Sequence, residues 1–238
     1  MVSCEFNPTL LSKWKSKIYT YSTSKDKQDQ IGRTRNMAAG ELIFEFPEWI
    51  AGFREKYRNT VLSTEEDQVR AVLELARSNI EEKTGGPFGA LVISTKSGKI
   101  YGCGINRVVY SGSLFHAETV AIWDAQNVVG TYDLASSSKG PFTLVCNAEP
   151  CAMCVGALHW SGISTLVTGA TNQDVQELGG FDEGPIHPGW EQELSKRGIS
   201  HKKEVLRSEC QTLIQDYKAK GGVVYNSIVK GQEGLAKV

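Results

Sequence analysis

The stretch Pro150-Cys151-Ala152-Met153-Cys154 decides the predicted fold, because it joins an apolar run to a second apolar segment of helical length. The first run, residues 142–147, predicts a buried strand, and residues 152–160 predict a helix. Two cysteines separated by two residues at a helix start reach one metal ion from a single turn. Backbone amides at that helix start also favour thiolate charge. A Cys-x-x-Cys pair taken alone equally suits a redox pair.

A second motif, His116-Ala117-Glu118, opens the helix predicted over residues 115–126. A hydrolytic zinc site needs three protein ligands and an open position for water, and His116, Cys151 and Cys154 supply that number. Glu118 is left free to move protons between that water and a substrate ring. His-x-Glu followed by Pro-Cys-x-x-Cys is the pattern of zinc deaminases. The sequence therefore predicts a Zn²⁺-dependent hydrolase that replaces an exocyclic amine with oxygen.

Strand-like and helix-like segments alternate around these motifs, which predicts an α/β fold with a sheet covered on both faces. A capping box at Ser63 or Thr64 opens a helix that runs to about Lys83. Strands are predicted at 88–95, 99–109, 142–147, 163–169 and 200–206, and further helices at 115–126, 152–160, 174–178, 192–197 and 209–220. We expect residues 1–60 to form a partly flexible N-terminal extension and residues 61–238 to form the catalytic domain.

Composition narrows the function classes. The 238 residues carry a net charge of −1, which disfavours a nucleic-acid partner, although residues 13–35 form a basic arm with seven Lys or Arg against two Asp. No apolar run is long enough for a membrane span, and no secretory signal precedes the domain. Six cysteines are too few for a disulfide framework in a chain of this length. A cytoplasmic location is expected.

On these motifs the chain resembles the cytidine deaminase-like superfamily from about Val69 to Val229. The resemblance implies a three-layer α/β/α sandwich with a five-stranded mixed sheet. It also implies zinc between two helix starts and oligomers that complete each other's sites, here expected as a homodimer. His116 separates the chain from ordinary cytidine deaminases, and the close spacing of Cys151 and Cys154 separates it from the riboflavin-pathway branch.

Further motifs resemble bacterial guanine deaminases that also accept ammeline. They are Gly86-Pro87-Phe88-Gly89-Ala90, Gly104-Ile105-Asn106-Arg107-Val108-Val109, Gly180-Phe181-Asp182-Glu183-Gly184-Pro185 followed by Trp190, and Gly222-Val223-Val224-Tyr225-Asn226. The resemblance implies conversion of guanine to xanthine and ammonia by attack at C2. Glu118 would make the first proton transfer, and Glu183 would protonate the departing amine unless it only caps its loop.

The base itself would be held by five residues. By similarity Asn106, which offers both a donor and an acceptor, would orient the base, and the Ala117 backbone amide would contact a base carbonyl. Phe88 would stack on the ring, and Trp160 and Tyr225 would wall or cover the pocket. Each aromatic residue taken alone is equally compatible with ordinary core packing.

Three alternatives stay open from the sequence. The substrate could be another small heterocycle, namely guanosine, ammeline, a pterin or cytosine, because motifs around zinc barely distinguish them. A tRNA adenosine deaminase shares both zinc motifs, and the basic arm is the feature in its favour. A zinc-stabilised scaffold without turnover is disfavoured because Glu118, which zinc binding does not need, is present.

Overall fold

The computed structural model describes residues 44–226. All the described residues belong to the second of the two units into which the chain divides, residues 44–238. The basic arm of residues 13–35 and most of the predicted N-terminal extension therefore lie outside the described residues. None of the helices between residues 44 and 226 combines the length and hydropathy needed to cross a bilayer.

A five-stranded mixed sheet forms the centre of the second unit, as predicted. Its strands are β1 (Gly89–Ser94), β2 (Ile100–Ile105), β3 (Phe142–Ala148), β4 (Thr165–Ala170) and β5 (Ser200–Lys202). Their order across the sheet is β2-β1-β3-β4-β5. β1 runs antiparallel to both β2 and β3, whereas β3, β4 and β5 are parallel. Every residue of β3 is buried, as expected for a central strand covered on both faces.

Helices cover both faces of the sheet. They are α1 (Ile50–Tyr57), α2 (Glu65–Glu81), α3 (Val108–Ser111), α4 (Ala117–Val129), α5 (Ala152–Ser161), α6 (Asn172–Asp174), α7 (Trp190–Lys196) and α8 (Arg207–Ala219). Alternate residues of β1 enter two separate cores, because successive side chains of a strand point to opposite faces. Leu91 and Ile93 pack with α1, α2 and α8, while Ala90 and Val92 pack with α4 and α5. The three-layer α/β/α prediction is confirmed.

Local sequence signals explain several element boundaries. The Thr64 hydroxyl caps α2 by accepting the Asp67 amide at 3.1 Å, which is one of the two hydrogen bonds that form the predicted capping box. Gly130 ends α4 in a left-handed conformation with φ of 81°. Residues 44–57 are a packed part of this unit. Ile50 and Phe53 of α1 are buried in the core that also contains side chains of α2 and α8.

Two predicted strands were too long. The strand expected over 200–206 ends at Lys202, because Glu204 and Leu206 adopt φ of 59° and 51°, which breaks an extended strand. The strand expected over 99–109 ends at Ile105. There the Asn106 amide donates to the Phe88 carbonyl and its side chain accepts the Val108 amide, which turns the chain into α3.

Two glycines of β2 bring α4 unusually close to the sheet. A Cβ added at Gly104 would overlap the Ala117 carbonyl oxygen, and one at Gly102 would overlap the Ala121 carbonyl. Both contacts are with helix backbone, which cannot rotate away as a side chain can. β2 therefore sets the position of the first turn of α4, where His116 and Glu118 lie.

We predict that Gly104→Ala lowers the free energy of unfolding by about 1–3 kcal/mol through overpacking. It should also reduce zinc content after dialysis, because α4 must move away from β2. Gly52→Ala is the matched control, since a Cβ there meets no atom within 4 Å. It should be neutral or stabilising by up to about 1 kcal/mol as a helical Gly-to-Ala change. Chemical denaturation and metal analysis measure both effects, and a Gly104→Ala protein as stable as Gly52→Ala would contradict the packing argument.

Candidate metal centre and active site

The three predicted ligands meet where two helices begin. His116 is the residue that caps α4, and Cys151 caps α5 at the end of the chain segment that follows β3. Cys154 lies in the first turn of α5 and is fully buried. One ligand atom from each of these side chains lies within 4.8 Å of the other two, and His116 Nδ1 is 3.5 Å from Cys151 Sγ. Residues 35 positions apart in the chain are thus brought to one point.

A shared hydrogen bond sets the protonation of the two cysteines in opposite directions. A hydrogen bond from Cys154 lowers the pKa of Cys151 to about 4 despite burial, and His116 adds to the effect. The same hydrogen bond and burial raise the pKa of Cys154 well above its usual range. One imidazole and two sulfur donors form a set that Zn²⁺ prefers, and three protein donors leave a position for water. The side chains present therefore fit a catalytic zinc ion.

A cavity of about 160 Å³ opens beside these ligands. The residues that line it are Phe88, Asn106, His116, Glu118, Ala148, Glu149, Cys151, Phe181, Asp182, Glu183, Gly184, Tyr225 and Asn226. They come from the ends of β1, β2 and β3, from the start of α4, from the loop before α7 and from the segment after α8. The structure thus gathers most of the predicted site residues around one cavity.

Glu118 lies in the first turn of α4 and faces the cavity, with 8% of its surface exposed. Burial raises the pKa of its carboxyl to about 7, and the nearby charge of Cys151 contributes in the same direction. A carboxyl group with this pKa exchanges its proton readily near neutral pH. The position and environment of Glu118 suit a group that first accepts and then delivers a proton.

Glu183 reaches the same cavity from the loop that precedes α7. Its backbone carbonyl accepts the Ala152 amide at 3.0 Å, which ties the loop to the start of α5. Its side chain is also only 8% exposed, and burial raises its pKa to about 9, with the charge of Cys151 adding to the shift. A protonated carboxyl group can donate a proton, so the environment of Glu183 suits a role different from that of Glu118.

Asn106 and Tyr225 form the polar part of the opposite wall. The Asn106 side chain is 1% exposed, and its Nδ2 donates to the Tyr225 hydroxyl at 2.6 Å. The Tyr225 ring lies 5.1 Å from the Phe181 ring, which in turn meets Phe88 edge-on at 5.0 Å. These aromatic side chains give the cavity apolar surfaces, while Asn106 supplies a paired donor and acceptor.

Two of the predicted base-contacting residues, Ala117 and Trp160, do not line the cavity. Ala117 is buried beneath the cavity, at the first position of α4, and is not among the lining residues. Trp160 lies near the end of α5 with 85% of its surface exposed, and the structure does not bring it to the cavity of its own chain. Its position on the outer surface could not be read from a motif.

Several lining residues have no role predicted from the sequence. Phe181 and Asp182 belong to the Gly180–Pro185 motif, in which the sequence predicts a role for Glu183 alone. Glu149 precedes the cysteine motif, and its carboxylate accepts the Asn172 amide at 2.9 Å. Asn226 accepts the Asp182 amide at 2.8 Å and donates to the Gly180 carbonyl at 2.9 Å, so it holds the loop of Glu183. The sequence signal for this role of Asn226 is its position directly after Tyr225 in the motif Gly222–Asn226.

The chain was compared with known proteins. Residues 62–170 match the family described as the cytidine and deoxycytidylate deaminase zinc-binding region. Guanine deaminase of Bacillus subtilis (strain 168) is 33% identical over 132 residues, which are 55% of this chain and 80% of that enzyme. A tRNA-specific adenosine deaminase of Buchnera aphidicola is 30% identical over 138 residues, which cover 58% of this chain and 83% of that enzyme.

Solved structures agree with the sequence relatives. Guanine deaminase from Nitrosomonas europaea superposes with a TM-score of 0.71 at 38% identity, covering 76% of this chain and 97% of that one. NE0047 in complex with 2,6-diaminopurine gives a TM-score of 0.72 at 39% identity, with 79% and 97% covered. The chain therefore belongs to the zinc-binding cytidine and deoxycytidylate deaminase family and, within it, to the guanine deaminase type.

Proposed function

We propose that this zinc-dependent aminohydrolase converts free guanine and water to xanthine and ammonia. The observation that carries the proposal is one cavity lined by two of the three metal ligands, by two buried carboxyl groups and by the Asn106 amide. Relatives support the choice of substrate, since NE0047 is solved with 2,6-diaminopurine and with 8-azaguanine. The NE0047 variants bound to 8-azaguanine carry a replaced glutamate or a replaced asparagine.

His116, Cys151 and Cys154 would hold the zinc ion, which when bound supplies Lewis-acid activation of a water molecule. Glu118 accepts the proton that this water loses as it adds to C2 of guanine. Glu118 then delivers the proton to a ring nitrogen, where negative charge would otherwise build up as C2 becomes tetrahedral. The C–N bond to the exocyclic amine breaks last, and Glu183 donates the proton with which ammonia leaves. Glu183 then takes up the proton that the C2 hydroxyl group releases as it becomes the carbonyl group of xanthine.

The remaining lining residues would select and orient the base. Asn106 can donate from Nδ2 and accept at Oδ1, which matches the mixed polar edge of a purine. Phe88 would stack on one face of the ring. The Ala117 amide is at the first helical position of α4, where a backbone N–H has no partner within the helix, so it can donate to a base carbonyl. Tyr225 would close the pocket above Asn106.

We further place the protein in the cytoplasm as a homodimer. The outward face of α5 carries Gly156 and Ala157, which are partly exposed, and Trp160, which is 85% exposed. Trp123 on the neighbouring α4 is also 40% exposed. Apolar side chains clustered on one face are typical of a protein interface, and a second copy would bring Trp160 out of solvent. Cys103, Cys146 and Cys210, in addition to the two ligand cysteines, are free and buried, which suits a reducing compartment.

The direct test measures ammonia released by the purified zinc-loaded protein from guanine, guanosine, ammeline, adenine and cytosine, with a tRNA substrate as the rival from the adenosine deaminase relatives. We expect the highest kcat/KM with guanine, because Asn106 and the small cavity suit a free purine. Preference for another base would overturn guanine as substrate while leaving the deaminase chemistry in place. Turnover of tRNA alone would overturn the free-base proposal.

Glu118→Gln should lower kcat by about 10²–10⁴-fold, because it removes a general acid–base while keeping the shape of the side chain. Zinc content should stay at one ion per chain, since Glu118 is not a ligand. Cys151→Ala is the comparison, and it should lose both the metal and the activity. Kinetics and metal analysis of the same preparations separate the two roles. A Glu118→Gln enzyme with near-normal kcat would remove Glu118 from the proton transfers.

Glu183→Gln should lower kcat by about a hundredfold, because the amide cannot protonate the departing amine. The zinc content and the fold should be retained. The matched control is Glu177→Gln, a carboxyl group on the preceding helical turn that is exposed and lies outside the cavity. That control should turn over guanine at the wild-type rate. If both variants behave alike, Glu183 acts only as a loop residue.

A further inference from the structure

Residues 44–57, called the strap below, contact one end of the loop that carries the chain from Asn106 to His116, and side-chain hydrogen bonds connect them to its other end. The strap comprises an extended segment followed by α1. It lies outside the region that matches the deaminase family, which begins at residue 62. Its contacts with the site are therefore not part of the shared zinc-binding motifs.

Three hydrogen bonds in sequence connect the strap to Asn106. Trp49 Nε1 donates to Thr84 Oγ1 at 3.0 Å, and Thr84 Oγ1 donates to Asn79 Oδ1 at 2.8 Å. Asn79 Nδ2 then donates to the backbone carbonyl of Asn106 at 3.0 Å and to that of Gly86 at 2.9 Å. Asn79 is fully buried on α2, so water does not compete for these bonds.

The direction of these bonds is fixed from the strap inward. An indole N–H can only donate, so Thr84 must accept from Trp49 and turn its own hydrogen towards Asn79. Asn79 is then held with its oxygen towards Thr84 and its NH₂ group towards the two carbonyls. Without the hydroxyl, Asn79 Oδ1 loses this donor, and the two bonds from Nδ2 to the carbonyls are left to hold the amide in place.

The carbonyl of Asn106 has little room to shift. A Cβ added at Gly85 would overlap this oxygen, so the Gly85-Gly86 backbone packs directly against it. The Asn106 amide also donates to the Phe88 carbonyl at 3.0 Å. With its main chain held on both sides, Asn106 presents its side chain to the cavity in one orientation.

The strap also contacts the other end of the loop. Phe44 stacks on Phe115, the residue before His116, with ring centroids 5.0 Å apart and planes inclined by 10°. Arg54 of α1 forms an ion pair at 2.9 Å with Asp124, a buried residue of α4. The strap thus braces the loop before His116 and the helix that follows it.

We propose that Trp49, Thr84 and Asn79 are positioning residues that fix the orientation of Asn106 for the base. This inference rests on the proposed function, in which Asn106 orients the purine. Small displacements of an orienting group are costly in catalysis, because the reacting atoms must meet within a few tenths of an ångström. The strap therefore tunes substrate recognition without touching the substrate.

The test compares Thr84→Val and Trp49→Phe with Thr84→Ser, which keeps the hydroxyl, and with Tyr57→Phe. Tyr57 is the matched control. It is also on the strap, but it donates to Glu74 of α2 at 2.9 Å and takes no part in the hydrogen bonds from Trp49 to Asn106. We expect Thr84→Val and Trp49→Phe to raise KM about tenfold with zinc retained, and the other two variants to stay within about twofold of wild type. KM is measured on the base that the wild-type protein deaminates. A KM that moves equally in Trp49→Phe and Tyr57→Phe overturns the proposal.

Hydrogen–deuterium exchange of the substrate-free protein gives a readout that does not depend on the identity of the substrate. Amides of residues 106–116 should exchange faster in Thr84→Val and Trp49→Phe than in the wild type, Thr84→Ser or Tyr57→Phe. Unchanged exchange in the first two variants overturns the positioning role even if their stability falls. Failure of the wild type to deaminate guanine would instead overturn the proposed substrate, and the exchange comparison would still decide the role of the strap.

Discussion

The convergence of two helix starts on one set of three ligand atoms is the constraint on which the site depends. The chain runs from β3 directly into Cys151 and α5. The start of α4 is positioned beside them by the packing of α4 on β2. That packing is possible only because Gly102 and Gly104 offer no side chain between sheet and helix. The distance between the metal ligands is therefore set by backbone contact, which is stiffer than contact between flexible side chains. A metal site assembled in this way is pre-formed before any ion or substrate arrives.

The two buried carboxyl groups follow from the same geometry. Glu118 is two residues after His116, so one helix start brings both side chains to the cavity. Glu183 comes from a different loop, tied to α5 by the hydrogen bond between its carbonyl and the Ala152 amide. Each carboxyl group is desolvated, and the pKa of Glu183 is raised further than that of Glu118. Carboxyl groups with separated pKa values can divide acid and base work.

The sequence was sufficient to predict the parts of the structure that local motifs encode. The meeting of His116, Cys151 and Cys154, the capping of α2 by Thr64 and the five-strand sheet follow from spacing, capping chemistry and family resemblance. The early end of β5 did not, because left-handed conformations at Glu204 and Leu206 depend on their surroundings and neither residue type signals them. The position of Trp160 also did not follow from the sequence, since a Trp near the end of an apolar helix suits a pocket, a core or an interface equally. The series of hydrogen bonds from Trp49 through Thr84 and Asn79 to Asn106 was the least predictable feature. It joins three separate parts of the sequence, and none of its residues is unusual by itself.

Asn106 is held by hydrogen bonds to both its main chain and its side chain. Its main chain is held by Asn79 and Phe88, and its side chain already donates to the Tyr225 hydroxyl at 2.6 Å. A base that binds to Asn106 Nδ2 must share or replace that bond, so the net gain from one correct hydrogen bond is modest. In the proposed function, discrimination would then come from the penalty for a wrong base, whose own polar groups would be buried against Asn106 without a matching donor or acceptor. Such a penalty is large only if Asn106 cannot turn to find another partner. The rigidity of its backbone is therefore as much a part of substrate selection as the amide itself.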